Sequence, residues 1–152
     1  MRDRLKGDMT KITIPVLVVV GMVAVMTWRV AGAAQATKSV NDGVYSAEQA
    51  KRGEALYKET CSACHGDNLE GSGPMPPLSG KDFLANWQGK TIGDLFEKTT
   101  TSMPATAPGT LTPEQAADIL SYVLSVGKYP AGGAALAAKI EPLLQIKLEA
   151  PK

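Results

Sequence analysis

The sequence has a single histidine and only two cysteines in 152 residues. That scarcity excludes any site built on paired imidazoles within the chain. It also leaves too few Cys and His ligands for a closed four-ligand zinc site. Aromatic residues make up 5% of the chain, with two Phe and two Trp, which is thin for a small core and invites some other apolar body to fill it. A long basic block is missing and the formal net charge is +1, so the basic face that nucleic-acid binding needs is absent. No alternating strand pattern and no internal repeat is visible, which removes the strand–turn–helix setting of thioredoxin-like thiol chemistry. Apolar residues at 44% and charged ones at 20% still make the chain globular, with room for one domain and a tail.

What is there is distributed unevenly. Residues 1–11 carry Arg2, Arg4, Lys6 and Lys11. The run "ITIPVLVVVGMVAVMTW", residues 12–28, has no charge, and Ala34-Gln35-Ala36 offers a small-residue cleavage site. Residues 1–36 therefore read as a cleaved export signal or, the run being just long enough to span, as a retained membrane anchor. Either way the rest is expected outside the cytoplasm, in the periplasm. Five of the sixteen Lys and Arg lie in that segment, so the exported part has a formal charge of −2.

Beyond it, residues 37–45 read as a polar linker, 46–130 as a helical domain and 131–152 as a tail packing on that domain. A helix is expected from Ser46, capped reciprocally by Ser46 and Gln49, running straight into Cys61. Ala50, Gly53 and Tyr57 share one of its faces. A glycine inside a helix costs about 1 kcal/mol against alanine, so Gly53 points to the close approach of another backbone. Residues 66–80 form a Gly/Pro loop, and 81–87 one or two short turns. Thr91 and Asp94 open a short helix with Ile92, Leu95 and Phe96 inward. After a second proline loop, Thr112, Pro113 and Gln115 start a last helix that buries Ile119, Tyr122, Val123 and Val126 and stops at Gly127. The domain is thus all-α, with three main helices, and at about 85 residues it is marginal as a core on its own.

All three Cys and His residues fall inside "CSACH", residues 61–65. A zinc site lacks its further ligands, and a disulfide across two residues is strained and leaves His65 unexplained. Cys-x-x-Cys-His is the attachment motif of c-type haem: two thiols add to neighbouring vinyl groups, and the next imidazole reaches the iron. With "GPMPPLSG" at 73–80, "SMP" at 102–104 and the final helix "ILSYVLSV", in that order, the chain resembles a small monohaem class I cytochrome c over residues 43–130. "FLANW" followed by "GKTIGDLFEKTTTSMP" is also similar to cytochromes associated with quinoprotein dehydrogenases.

The resemblance implies a small cytochrome c fold around one covalent haem c, held through Cys61 and Cys64, with His65 as one axial ligand. Among the methionines outside the export segment, Met103 stands where the family places its second ligand, and Met75 is the alternative. The carbonyl of Pro76, or of Pro77 one residue on, would accept the second N–H of His65. Trp87 would donate to a haem propionate. Leu69, Leu78, Phe83, Leu95 and Phe96 would supply apolar surroundings. The first and last helices would cross at Gly53, Tyr57 and Tyr122. The implied role is a one-electron carrier rather than an enzyme. Its expected partners are redox proteins such as a quinoprotein dehydrogenase or a terminal oxidase, with no nucleic acid and with residues 12–28 as a possible membrane tether.

Overall fold

The structure, a computed structural model, describes residues 38–152. The export or anchor segment, 1–36, lies outside the described residues. Four helices of eight or more residues build the fold: α1 (Ala47–Thr60), α3 (Gly80–Trp87), α4 (Ile92–Ser102) and α5 (Pro113–Val126). Two single turns complete it, α2 (Ser62–His65) and α6 (Ile140–Leu143). Two-residue strands β1 (Lys38–Ser39) and β2 (Ile146–Lys147) pair in parallel. Among the described residues no helix is long and apolar enough to cross a membrane.

The caps explain where the helices begin. Thr91 and Asp94 exchange both bonds of a capping box at α4, and Thr112 and Gln115 do so at α5, where Pro113 takes the first position. The Thr91 backbone N–H, and then its hydroxyl, hold the Asp94 carboxyl below its usual range. At α1 the expected box is only half made. The Ser46 hydroxyl accepts the Gln49 N–H, but the Gln49 side chain is turned away. Its Nε2 donates to the Leu136 carbonyl at 3.1 Å, and its Oε1 accepts the Leu136 N–H at 2.6 Å. A buried amide has two donors and two acceptor sites to satisfy, and the tail supplies what the helix end does not.

Helices α1 and α5 cross on the α1 face that carries Ala50, Gly53 and Tyr57. A Cβ on Gly53 would lie 1.8 Å from the Asp118 carbonyl oxygen, so glycine is required by contact and not by backbone conformation. Around that point Arg52 holds Asp118 through two bonds of 2.9 Å, and Tyr57 and Tyr122 pack with ring centroids 5.3 Å apart. The buried face of α5 comprises Ala116, Ala117, Ile119, Leu120, Val123 and Leu124. Tyr122 and Val126, expected in that face, are only half-buried, because the stripe is rotated toward the small residues that let α1 approach.

Residues 129–150 contribute directly to the core. Tyr129, Leu136, Leu143, Ile146 and Leu148 are all buried, and Leu143 and Leu148 are completely so. Each aliphatic side chain so buried stabilises by about 1.5–3 kcal/mol. Hydrogen bonds tie this segment to the residues before α1. The Tyr45 hydroxyl donates to the Tyr129 carbonyl at 2.7 Å, and the Gly132 N–H donates to the Tyr45 carbonyl at 2.7 Å. The stretch 81–87, expected as one or two turns, lies within the continuous eight-residue helix Gly80–Trp87, with Phe83 buried.

Candidate functional site

The site is organised by the change from α1 to α2. Cys61 is the joint: its N–H donates to the Tyr57 carbonyl at 2.8 Å, and its own carbonyl accepts the His65 N–H at 2.9 Å. The turn of α2 places Cys61 and Cys64 three residues apart on one helical turn, which brings their side chains to neighbouring positions. Both are free thiols. Cys64 is exposed and Cys61 half-buried. Burial, and then the neighbouring Cys64, push the Cys61 thiol up to about 11. A thiol that stays protonated at neutral pH is a poor participant in thiol–disulfide exchange, where the thiolate attacks.

His65 is buried, with 8% of its surface exposed. Its Nδ1 lies 2.8 Å from the Pro76 carbonyl oxygen. A carbonyl can only accept, so Nδ1 carries the proton there and Nε2 keeps its lone pair. The loop after His65 explains why this carbonyl arrives. The Gly71 N–H donates to the His65 carbonyl at 2.8 Å. Ser72 and Met75 bond each other through both backbone groups, and the Leu78 N–H returns to the Leu69 carbonyl at 2.9 Å. Gly71, at φ 79°, sits under this fold: a Cβ there would meet the Met75 carbonyl oxygen at 2.6 Å and the Pro77 nitrogen at 2.8 Å. Register in the doubled proline is thereby set. Pro76 meets His65, and Pro77 does not take that bond.

Of the two methionines, Met75 lies in the exposed part of that loop, with 37% of its surface in solvent. Met103 is half-buried and forms the C-terminal cap of α4, in extended conformation. Pro104 disfavours helical conformation in the residue before it, which is why α4 stops at Ser102. Thr99, Thr100 and Thr101 turn their hydroxyls back to the carbonyls of Leu95, Phe96 and Glu97 at 2.8, 2.9 and 2.7 Å, occupying the polar groups of the last turn.

Trp87 ends α3, half-buried, with its ring 6.3 Å from that of Phe83 and the Lys90 ammonium 4.7 Å from the ring centroid. It borders an open depression of about 510 Å³ lined also by Lys90, Asp94, Glu97, Lys98 and Thr101. Cys61, Cys64, His65 and Met103 do not line it. Leu69, Phe83, Leu95 and Phe96 are buried in the core, and Leu78 is packed against it.

Two feature sets that sequence reasoning missed bear on the site. The Gln49–Leu136 amide clamp was hidden because the same glutamine fits a capping box. The Tyr57 hydroxyl, which donates to the Gly66 carbonyl at 2.7 Å, was hidden because Tyr57 reads equally well as a packing residue. Its signal was the spacing from Cys61, one helical turn.

Two thiols on one helical turn, followed by an imidazole whose Nδ1 is occupied and whose Nε2 is available, fit a c-type haem. The thiols suit thioether formation and Nε2 suits the iron. Among the described residues no cluster of three or more His, Cys, Asp or Glu suits a bare metal ion. A mostly helical fold with this motif at the end of its first helix defines a small cytochrome c domain.

Residues 48–123, half of the chain, match the family described as cytochrome C oxidase, cbb3-type, subunit III, and the chain belongs to that family. It is 34% identical over 82 residues to the Cbb3-type cytochrome c oxidase subunit CcoP of Rubrivivax gelatinosus, covering 51% of this chain and 26% of that one. Its fold is similar to a chain in the crystal structure of the sulfane dehydrogenase SoxCD from Paracoccus pantotrophus. The TM-score is 0.50 with 25% identity, over 74% of this chain and 60% of that chain. The chain thus spans about a quarter of the curated relative it matches. Membership implies a covalent haem c.

Proposed function

We propose that this chain is an exported one-electron carrier holding a single haem c through Cys61 and Cys64, with His65 and Met103 as axial ligands. One observation carries the reading: the His65 Nδ1 is spoken for by the Pro76 carbonyl at 2.8 Å, on the residue directly after the second of two free cysteines. That bond fixes the orientation of the ring and its tautomer. The bound group supplies a metal centre that cycles between two oxidation states. The chain's own part is to hold it and to keep substrate and water away. His65 and Met103 would hold the iron, and such ligation would raise the potential and leave no position open to a substrate. Met103 is favoured over Met75 because it is half-buried at the end of a capped helix, while Met75 is exposed in its loop. Trp87 is assigned as donor to a propionate, since its N–H can only donate.

The partners we assign are redox proteins, with the electron passing between a dehydrogenase and a respiratory oxidase. The relatives named above come from an oxidase and from a dehydrogenase, which supports that pairing. Residues 12–28 serve as export signal or as tether.

The test is a pair of variants of the exported protein. Met103→Ala abolishes the far-red sulfur-to-iron absorption band and lowers the potential, and Met75→Ala keeps both. The reverse result overturns the ligand assignment. Carbon monoxide binding by the untreated wild-type protein would overturn the carrier role in favour of a gas-binding or catalytic one.

A further inference from the structure

One residue touches the attachment segment at both of its ends. The Tyr57 carbonyl accepts the Cys61 N–H at 2.8 Å, at the start of the segment. The Tyr57 hydroxyl donates to the Gly66 carbonyl at 2.7 Å, directly after His65. The side chain is completely buried, with none of its surface exposed. Burial, followed by nearby Cys61 and Glu70, raises its pKa above that of an ordinary phenol, so the hydroxyl remains a donor throughout the ordinary pH range. Gly66 itself has a φ of 81°, and its carbonyl also accepts the Leu69 N–H at 3.3 Å. The chain reverses there toward Gly71, whose N–H returns to the His65 carbonyl.

We propose that Tyr57 is a positioning residue that brackets Cys61–Gly66 and fixes the orientation of the His65 imidazole from its backbone side, as Pro76 fixes it from the ring side. Its role there rests on reading Cys61, Cys64 and His65 as the haem attachment. The two hold-points differ in kind. Pro76 reaches the ring directly through Nδ1. Tyr57 acts through the peptide that follows, so it sets the turn on which the ring is mounted. Tyr122 provides the internal comparison: its ring packs on that of Tyr57 with centroids 5.3 Å apart, and of the two hydroxyls the one that bonds the Gly66 carbonyl is that of Tyr57.

The experiment compares Tyr57→Phe with Tyr122→Phe in the exported, haem-loaded protein. Tyr57→Phe keeps the ring packing and removes only the hydroxyl. Loss of one hydrogen bond corresponds to about a fivefold rise in amide exchange at Leu69 and Gly71. With it, the pattern of haem methyl resonances in the oxidised protein, which reports the plane of the axial imidazole, moves. Tyr122→Phe leaves both unchanged. Wild-type behaviour of Tyr57→Phe, or equal changes in the two variants, overturns the proposal and assigns the ring to packing alone. If Tyr57→Phe does not accumulate, the wild-type protein decides. A slowly exchanging Tyr57 hydroxyl proton with a cross-peak to Gly66 supports the bracket, and its absence overturns it. A chain found without haem would instead overturn the carrier reading, and the exchange comparison would still judge the bracket.

Discussion

Where α1 crosses α5, the protein closes on itself: a glycine lies against a carbonyl, an arginine grips the same aspartate, and two tyrosine rings fill the remainder. The stretch that follows His65 is built differently. From Asp67 to Pro76 only Leu69 is buried; Gly71 is intermediate and the rest are exposed. Backbone bonds hold that loop, and it presents a proline carbonyl to the one histidine. The crossing spends its side chains on packing, the Tyr57 hydroxyl apart, which reaches out to the Gly66 carbonyl. The loop keeps its polar groups available to a ligand's surroundings. Stability and chemistry are thus assigned to different parts of a small chain, and changes in each part have different consequences.

The most severe way to break the crossing is Gly53→Leu. A side chain begins where the Asp118 carbonyl already sits, and no rotamer relieves a clash at the Cβ. No folded protein is expected, as judged by circular dichroism and yield. A normally folded holoprotein would show that the helices need not meet there. Gln49→Ala comes next. It leaves the Leu136 N–H and carbonyl without their partner in a buried setting, at about 1–3 kcal/mol for an unsatisfied buried group. Denaturant midpoints measure it, and a loss near zero would mean that the tail holds without the clamp.

Thr91→Ala removes the α4 cap and costs about 1 kcal/mol, with the far-red band expected of the proposed His65–Met103 ligation unchanged from wild type. A mild loss of stability with an unchanged spectrum sharpens the division between fold and site. The smallest effect concerns pH. Burial raises Tyr45, Tyr57, Tyr122 and Tyr129 above the ordinary value of 10.0. In the unfolded chain these phenols ionise near 10, while in the fold they do not. The tyrosine contribution is therefore complete below pH 10 and declines as pH rises above it. Thermal melts should show this decline only on the alkaline side, and a tyrosine-linked gain in stability above pH 10 would contradict it.

The attachment motif was legible because both cysteines and the one histidine of the chain stand within five positions. The crossing was legible because a mid-helix glycine has few causes, and Gly53 has the expected one. Two of the three helix starts were legible in full, since Thr91 with Asp94 and Thr112 with Gln115 have no competing partners. Gln49 did have one, 87 positions away at Leu136, and local spacing cannot register a contact at that separation. The burial of Leu136, Leu143 and Leu148 was obscured for the same reason. Pro142 interrupts the apolar stretch, and the pairing of Lys38 with Ile146 joins the two ends of the described chain. The helix at 80–87 was underestimated because its glycine start and short length imitate a turn.

Everything proposed for the site depends on Cys61, Cys64 and His65 holding one covalent haem. Mass spectrometry of the tryptic peptide from Glu59 to Lys81, taken from the exported protein, tests it most directly. A single species heavier than the bare peptide by one haem is expected. The peptide at its bare mass, or lighter by two hydrogens as a Cys61–Cys64 disulfide, would contradict it.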